Sequence, residues 1–263
     1  MGIVDRPILV TGSSGKLGGA LLRSGRFGRL LAPSRAEMDI ADPNSVSAFC
    51  AGHDVDGVIH CAALVRMGKC EADPLRALEV NIAGTGNLVR AVLEQERRRG
   101  KRVRFVHIST DGVYPGSRGR YSESDETIPY NRYGWTKLGA ECAVHMLSEY
   151  CIVRTSFYDP ADIPFEDSPA DVFSSKITLA RLVRAIAGLM EHDFVGTVNV
   201  GGERMSAYDR YRKHKPSLRP CTFADQVRTI SYPVARDSSM NCDLWKKLSP
   251  EIGAPEEDEK PDS

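Results

Sequence analysis

Two residues that could move a proton stand four positions apart. Tyr133 and Lys137 are the ends of the run YGWTK, and residues four apart lie on one face of a helix. A nearby ammonium favours the phenolate form of tyrosine, so Lys137 would make the proton of Tyr133 transferable near neutral pH. The same spacing also occurs in unrelated surface pairs. Thr110 ends an apolar run upstream, and the carboxyl ends of parallel strands bind ligands, so its hydroxyl could hydrogen-bond a reacting oxygen.

A second pattern could bind a pyrophosphate. The run TGSSGKLG at 11–18 follows an apolar stretch and precedes a helical one. Glycines allow a tight turn and a close approach of backbone amides to the anion, and the helix dipole adds attraction. The pattern is not the P-loop of nucleoside triphosphatases, because Lys16 is followed by Leu17 rather than by Ser or Thr, and an upstream glycine is missing. The predicted dinucleotide contacts here are Gly12, Ser14, Gly15, Lys16, Leu17 and Gly18.

The chain around residue 35 bears on which dinucleotide would bind. A cofactor with a free ribose 2′-hydroxyl usually meets an acid after the second strand, and this chain has Arg35 there. An arginine can pair with a 2′-phosphate, so we expect NADP(H) rather than NAD(H). The alternative is that Arg35 is a solvated surface residue. Asp39 and Ile40 follow, and Asp39 could accept a hydrogen bond from the adenine amino group.

The elements that must position these groups alternate regularly. Apolar β-rich runs predict strands at 7–11, 29–33, 57–63, 102–110, 151–157 and 196–202, and helical patterns predict helices between them, including 74–98, 133–147 and 177–190. Such alternation is typical of a parallel sheet covered on both faces. We therefore predict an α/β fold, a Rossmann-type doubly wound parallel sheet with a small C-terminal substrate-binding region. The expected division is a dinucleotide-binding core over 1–160, a substrate-binding region over 161–250 and an acidic disordered tail over 251–263.

Composition narrows the classes of function. The 263 residues carry 35 basic and 35 acidic side chains, so a strongly basic nucleic-acid binder is not expected. No apolar run is long enough to span a membrane, and the start of the chain does not have the pattern of a secretory signal. Seven scattered cysteines include no CxxC pair, which predicts reduced thiols in a cytoplasmic protein and no metal site.

Other polar side chains have a structural interpretation as well as a functional one. His60 and His107 fall within predicted strands and are expected to be hydrogen-bonded core histidines, and Arg154 is expected to be structural. The basic stretch from Arg204 to Lys215 could clamp a substrate diphosphate or form a solvated helix face.

The combined motifs resemble the extended short-chain dehydrogenase/reductases, the superfamily of NAD-dependent epimerases and dehydratases. They are, in order, TGSSGKLG, HCAAL, EVNIAGTGNL, STDGVY, PYNRYGWTK and VRTSF, and the likeness covers about residues 7–250. Within that family the chain is most similar to the dTDP-4-dehydrorhamnose reductase group. The resemblance implies that Thr110, Tyr133 and Lys137 are catalytic. It also implies further cofactor contacts at Cys61, Ala62, Ala63 and Asn81, and substrate contacts at Thr110, Asp111, Phe157 and Tyr158.

The function that the resemblance implies is NAD(P)H-dependent reduction of a keto-sugar nucleotide, with Tyr133 as proton donor. Related 4,6-dehydratases carry a glutamate where this chain has Gly112, so elimination would lack its base. A same-fold epimerase with tightly held NAD remains an alternative. So does a non-catalytic regulatory subunit, because about 16 residues separate RTSF from SSKIT, where the family typically has a further helix. Dimers are frequent in the family, so a homodimer is the candidate assembly.

Overall fold

The computed structural model describes residues 6–251. Its strands are β1 (Ile8–Thr11), β2 (Leu30–Leu31), β3 (Gly57–His60), β4 (Arg104–Thr110), β5 (Tyr150–Thr155), β6 (Phe157–Tyr158), β7 (Asp167–Pro169), β8 (Phe173–Ser174), β9 (Ile177–Thr178), β10 (Gly196–Val200), β11 (Met205–Ser206) and β12 (Arg219–Cys221). Its α-helices are α1 (Lys16–Arg23), α2 (Pro43–Gly52), α3 (Met67–Ala72), α4 (Pro74–Ala77), α5 (Gly84–Arg99), α6 (Arg132–Val144), α7 (Leu179–Glu191), α8 (Ala207–Arg212), α9 (Phe223–Thr229) and α10 (Asp243–Glu251).

The predicted parallel sheet is confirmed. Six strands run in the order β10-β5-β4-β3-β1-β2, all parallel. Strands β1 and β3 are buried along their whole length, as expected for apolar runs that have helices on both faces. One core cluster packs α1, α7 and α10 against the sheet, and the other packs α2 and α5 against the opposite face.

The strand order reverses at β1, which lies between β2 and β3. In open α/β sheets, ligands bind outside the carboxyl ends of the strands at such a switch point. The loop from Thr11 to Lys16 leaves β1 here, and the loop that follows His60 leaves β3 beside it. The fold therefore places the glycine run at the edge where a ligand is expected.

The helix predicted over 74–98 is interrupted. It begins at Pro74, widens into a π-helical turn over Leu78–Ala83, and continues as α5. Such turns often lie at functional sites. Here Asn81 lies in the widened turn, where it is 1% exposed.

The strand predicted over 151–157 is also divided. Strand β5 ends at Thr155, and Phe157 and Tyr158 leave the sheet to pair with β9. Two further small sheets, β11-β8 and β12-β7, lie beyond it. The division into a core over 1–160 and a substrate region over 161–250 stays a prediction. The predicted tail lies outside the described residues except for Glu251, which ends α10.

Within residues 6–251, no helix is long and apolar enough to cross a membrane. The same part of the chain has no group of three metal-ligating side chains.

Candidate active site

The glycine run forms a tight cradle against the end of β3. Gly12 has a φ of +70°, and a Cβ there would lie 2.7 Å from the backbone nitrogen of Ala62. A Cβ on Gly18 would lie 2.3 Å from the carbonyl oxygen of Gly12. No described side chain caps α1, so the first-turn N–H groups are available to an anion, which the helix dipole also attracts.

This cradle lines a cleft of about 750 Å³. Most of the predicted site residues line it together: Gly12, Ser14, Gly15, Lys16, Leu17, Gly18, Arg35, Asp39, Ile40, Cys61, Ala62, Ala63, Thr110, Asp111, Tyr133, Lys137 and Phe157. The phosphate loop and the Tyr–Lys pair, which are predicted from separate motifs, thus line one cavity.

Arg35 and Asp39 lie at the loop that follows β2 and form an ion pair. Arg35 Nε lies 3.0 Å from Asp39 Oδ2, and the N–H of Ala41 donates to Asp39 Oδ1 at 3.0 Å. Partial burial opposes ionisation of Asp39, but these hydrogen bonds and the charges of Arg35 and Arg76 hold its pKa below the ordinary value. Arg76 also lines the cleft and pairs with Glu79, whose Oε2 lies 3.1 Å from Arg76 Nη1, so each of the two arginines has a carboxylate partner.

The Tyr–Lys helix is fixed at its start. The Asn131 side chain caps α6 by accepting from the N–H of Gly134 at 2.9 Å. A Cβ on Gly134 would lie 2.2 Å from the carbonyl oxygen of Gly112, so the helix packs directly on the turn after β4. This contact brings Tyr133 beside Thr110.

The predicted direction of the shift in the Tyr133 pKa is wrong. Burial, followed by the Asp111 carboxylate, raises the pKa of Tyr133 above its ordinary value, although a hydrogen bond with Thr110 opposes the rise. The sequence pattern could show the ammonium of Lys137 but could not show how deeply the phenol is buried. The phenol is therefore protonated at neutral pH, which is the form of a proton donor.

Lys137 is 3% exposed. Burial lowers its pKa to about 8, although Glu141 and Cys61 oppose the decrease. Its Nζ lies 3.3 Å from Nε2 of His107 on β4. Glu141 is itself engaged by Arg154, whose Nη2 lies 2.7 Å from Oε2. Arg154 is structural, as expected.

His60 is a hydrogen-bonded core histidine, and the network around it identifies its tautomer. Thr85 donates its hydroxyl proton to the Asn81 carbonyl at 2.7 Å, so it accepts from Nε2–H of His60 at 2.9 Å. Nδ1 then accepts from the Thr11 hydroxyl at 2.7 Å, and Thr11 accepts from the N–H of Ala62 at 3.2 Å. This chain of bonds holds the cleft-lining backbone at Ala62.

Asn81 is not among the residues that line the cleft, and its cofactor contact stays a prediction. Its Oδ1 accepts from the N–H of Leu64 at 2.7 Å, and its Nδ2 donates to the Leu64 carbonyl and to Thr136. The amide is used to join the loop after β3 to α6.

Tyr158 is not among the residues that line the cleft, and its ring contacts Tyr211 and His214; its substrate contact stays a prediction. The interpretation of Arg210 is corrected. Arg210 is neither a free clamp nor a solvated face. It is 5% exposed and donates to the carbonyls of Lys176 and Ser174 at 2.6 and 2.5 Å.

Arg204 is likewise engaged. It pairs with Asp237 at 2.8 Å and stacks on Phe173 at 3.7 Å. The basic stretch therefore contains structural cations.

Sequence reasoning missed several residues that line the cleft. They come from the loop after β3, from the start of α3, from α4 and from the turn after β5: Val65, Arg66, Met67, Arg76 and Ser156. Their position after a strand of the sheet was the one available signal for the loop residues.

Comparison with known proteins gives both sequence and structural matches. A family model described as the RmlD substrate binding domain matches residues 6–160. The dTDP-4-keto-6-deoxy-D-glucose reductase of Streptomyces niveus is 41% identical over 155 residues, which are 57% of this chain and 51% of that protein. The dTDP-4-dehydrorhamnose reductase of Mycolicibacterium smegmatis is 37% identical over 161 residues, which are 59% and 46% of the two chains.

The chain therefore spans about half the length of the curated relatives it matches. A crystal structure of dTDP-4-dehydrorhamnose reductase from Bacillus anthracis in complex with NADP has a TM-score of 0.81. It is 22% identical and covers 94% of this chain and 93% of its own. The likeness to that structure is one of fold over nearly the whole chain.

Proposed function

The chain belongs to the RmlD substrate binding domain family, and from that premise we propose that it is an NADPH-dependent reductase of a keto-sugar nucleotide. One observation carries the proposal. The glycine cradle and the group Thr110, Tyr133 and Lys137 line the same cleft at the switch point of the sheet. A reductase needs a dinucleotide site and a proton donor in one cavity.

The residues present fit a dinucleotide. Gly12 and Gly18 pack so closely on the backbone of Ala62 and of Gly12 that no Cβ fits there, which is the tight turn that a dinucleotide loop requires. The uncapped start of α1 suits a pyrophosphate. Bound NADPH would supply a hydride to the carbonyl carbon of the substrate. Arg35 and Arg76, at the end of the cleft where the adenosine would lie, favour a 2′-phosphate and hence NADP(H) over NAD(H).

The chemistry of the protein itself is proton delivery. Tyr133, protonated in this environment, donates its proton to the substrate oxygen as that oxygen gains charge. Thr110 donates a hydrogen bond to the same oxygen. Lys137 stabilises the phenolate that Tyr133 becomes and would hold a ribose hydroxyl of the cofactor.

The substrate class rests on the relatives. Both are named as reductases of dTDP-linked keto sugars, and Phe157 offers an aromatic face in the cleft on which a sugar or base could stack. No nucleic-acid partner is proposed. A homodimer and a cytoplasmic location remain predictions from the sequence and the family resemblance.

The test is NADPH consumption by the purified protein with a panel of dTDP-linked 4-keto sugars. Tyr133→Phe should lower kcat by about 10²-fold or more, because positioned acid catalysis contributes about that much, and should still bind NADPH. Tyr130→Phe is the matched control, since this neighbouring phenol does not line the described cleft, and it should keep its activity.

Three outcomes would contradict the proposal. If Tyr133→Phe were as active as Tyr130→Phe, Tyr133 would not be the proton donor. Copurified NAD, with sugar interconversion and no net NADPH oxidation, would favour an epimerase. Cofactor binding without turnover of any sugar would favour a regulatory subunit.

A further inference from the structure

Polar side chains join strand β4 to helix α6 beside the cleft. His107 and Ser109 are two residues apart on this strand, so they point to the same face of the sheet. Opposite them, Lys137 and Glu141 lie one turn apart on α6. His107 meets Lys137 and Ser109 meets Glu141, so strand and helix are joined by two polar contacts.

Core packing does not explain His107. It is 0% exposed, and its Nδ1 has no hydrogen-bond partner within residues 6–251. The neighbouring His60 uses both of its ring nitrogens. A buried imidazole with an unpaired nitrogen is less favourable than an apolar side chain of similar shape, so the contact with Lys137 is the feature that distinguishes this histidine.

The chemistry of the pair identifies the direction of the bond. A lysine ammonium has three donors and no acceptor, so Nε2 of His107 must present its lone pair and the ring proton must be on Nδ1. Burial, then the charge of Lys137, then His60, keep the pKa of His107 well below the ordinary value. The ring is therefore neutral and able to accept.

Lys137 has few other sources of support. The charged or titratable groups that interact with it are Glu141 on α6, His60 and Cys61 at β3, and His107 on β4. The Glu141 carboxylate is occupied by Arg154 and Ser109. His107 is the one hydrogen-bond acceptor that the described residues place at Nζ.

We propose that His107 is a positioning residue for Lys137, whose ammonium it holds charged and directed at the cleft by accepting a hydrogen bond at Nε2. The bond is a feature of the fold, whereas its purpose rests on the proposed function. In that function the charge must be present one helical turn from Tyr133 when the phenolate forms.

The test compares three replacements of His107. Leucine removes the acceptor, glutamine can place an amide oxygen near the position of Nε2, and asparagine reaches only the position of Nδ1. The pKa of the Lys137 ammonium is measured by NMR of protein labelled at lysine Cε, with Lys137→Met identifying the signal. The wild-type pKa is expected near 8.

With His107→Leu we expect that pKa to fall by about one unit, because a hydrogen bond to a charged group is lost. His107→Gln should restore it to within about half a unit, and His107→Asn should not. The basic limb of kcat/KM for NADPH, which reports the free enzyme, should move down by the same amount. His60→Leu is the matched control. It also removes a buried imidazole, but that ring has a pKa of about 3 and is therefore neutral, and its nitrogens bond Thr11 and Thr85 rather than Lys137, so the Lys137 pKa should stay within about half a unit.

An unchanged Lys137 pKa in His107→Leu would overturn the inference, and so would equal values for the glutamine and asparagine variants. The latter comparison decides the matter even if the leucine variant does not fold. The NMR measurement is independent of turnover. If the protein reduces no sugar but shows the shift, the hydrogen bond is supported and the proposed function is not. If the protein is active but shows no shift, the inference about His107 fails and the proposed function stands.

Discussion

Replacing Lys137 by methionine should stabilise the fold while removing activity. Burial depresses the pKa of this lysine from 10.5 to about 8. A lysine with a depressed pKa binds fewer protons in the folded state than in the unfolded state between those two values, so stability rises with pH across that window. Below it, the folded protein carries the full cost of burying the charge, and methionine removes that cost.

The magnitude follows from the shift. A depression of about 2.5 units at about 1.36 kcal/mol per unit gives a cost of about 3 kcal/mol at pH 7. Leaving His107 without its partner offsets about 1 kcal/mol. The remaining gain of about 2 kcal/mol corresponds to an increase in Tm of about 4–8 °C. At about pH 9.5 the lysine is already neutral in the folded state, so the gain should shrink to near zero.

The assay is thermal and urea unfolding of wild type and Lys137→Met at both pH values. Lys176→Met is the control with the opposite sign. Burial disfavours the Lys176 ammonium, but Tyr211 and Asp111 raise its pKa above the ordinary value, so that charge stabilises the fold at neutral pH and its loss should lower the Tm. A Lys137→Met protein less stable than wild type at pH 7, or one with the same gain at both pH values, would refute the reasoning.

Two further predictions concern the cofactor end of the cleft. Gly18→Ala would place a Cβ 2.3 Å from the Gly12 carbonyl and should weaken NADPH binding at least about tenfold by calorimetry, whereas Gly86→Ala, which meets nothing within 4 Å, should bind normally; equal affinities would contradict the cradle. Arg35→Ala should lower affinity for NADPH about 10–100-fold, from loss of a charged hydrogen bond, and leave NADH binding nearly unchanged; an equal loss for both cofactors would show that Arg35 does not contact a 2′-phosphate.

The parts of the site that could be predicted are those encoded by local spacing. The i, i+4 relation of Tyr133 and Lys137, and the glycines at 12, 15 and 18, depend only on the element that carries them. Arg76 could not be found this way. It comes from α4, and its approach to Asp39 depends on how that helix packs across the cleft.

Other predictions were wrong because the sequence does not show which side chains are buried. A charged residue on a short helix is normally solvated, yet the Arg210 guanidinium is enclosed by backbone carbonyls of β8 and the residues after it. Similarly, the alternation of β4 placed His107 in the core but could not show Lys137, 30 residues away in sequence, against its ring. These contacts arise between distant segments, and no local pattern records them.

The charges around Tyr133 suit a group that begins as a proton donor. Asp111, itself buried with a raised pKa, opposes ionisation of the phenol, so Tyr133 starts protonated. Lys137 favours the phenolate once the proton has left. Opposed influences of this kind suit a group that must deliver a proton and then carry the resulting charge until it is reprotonated. In the 4,6-dehydratases that the chain resembles, a glutamate takes the next position, where Gly112 stands here, which favours the proposed reduction over that elimination.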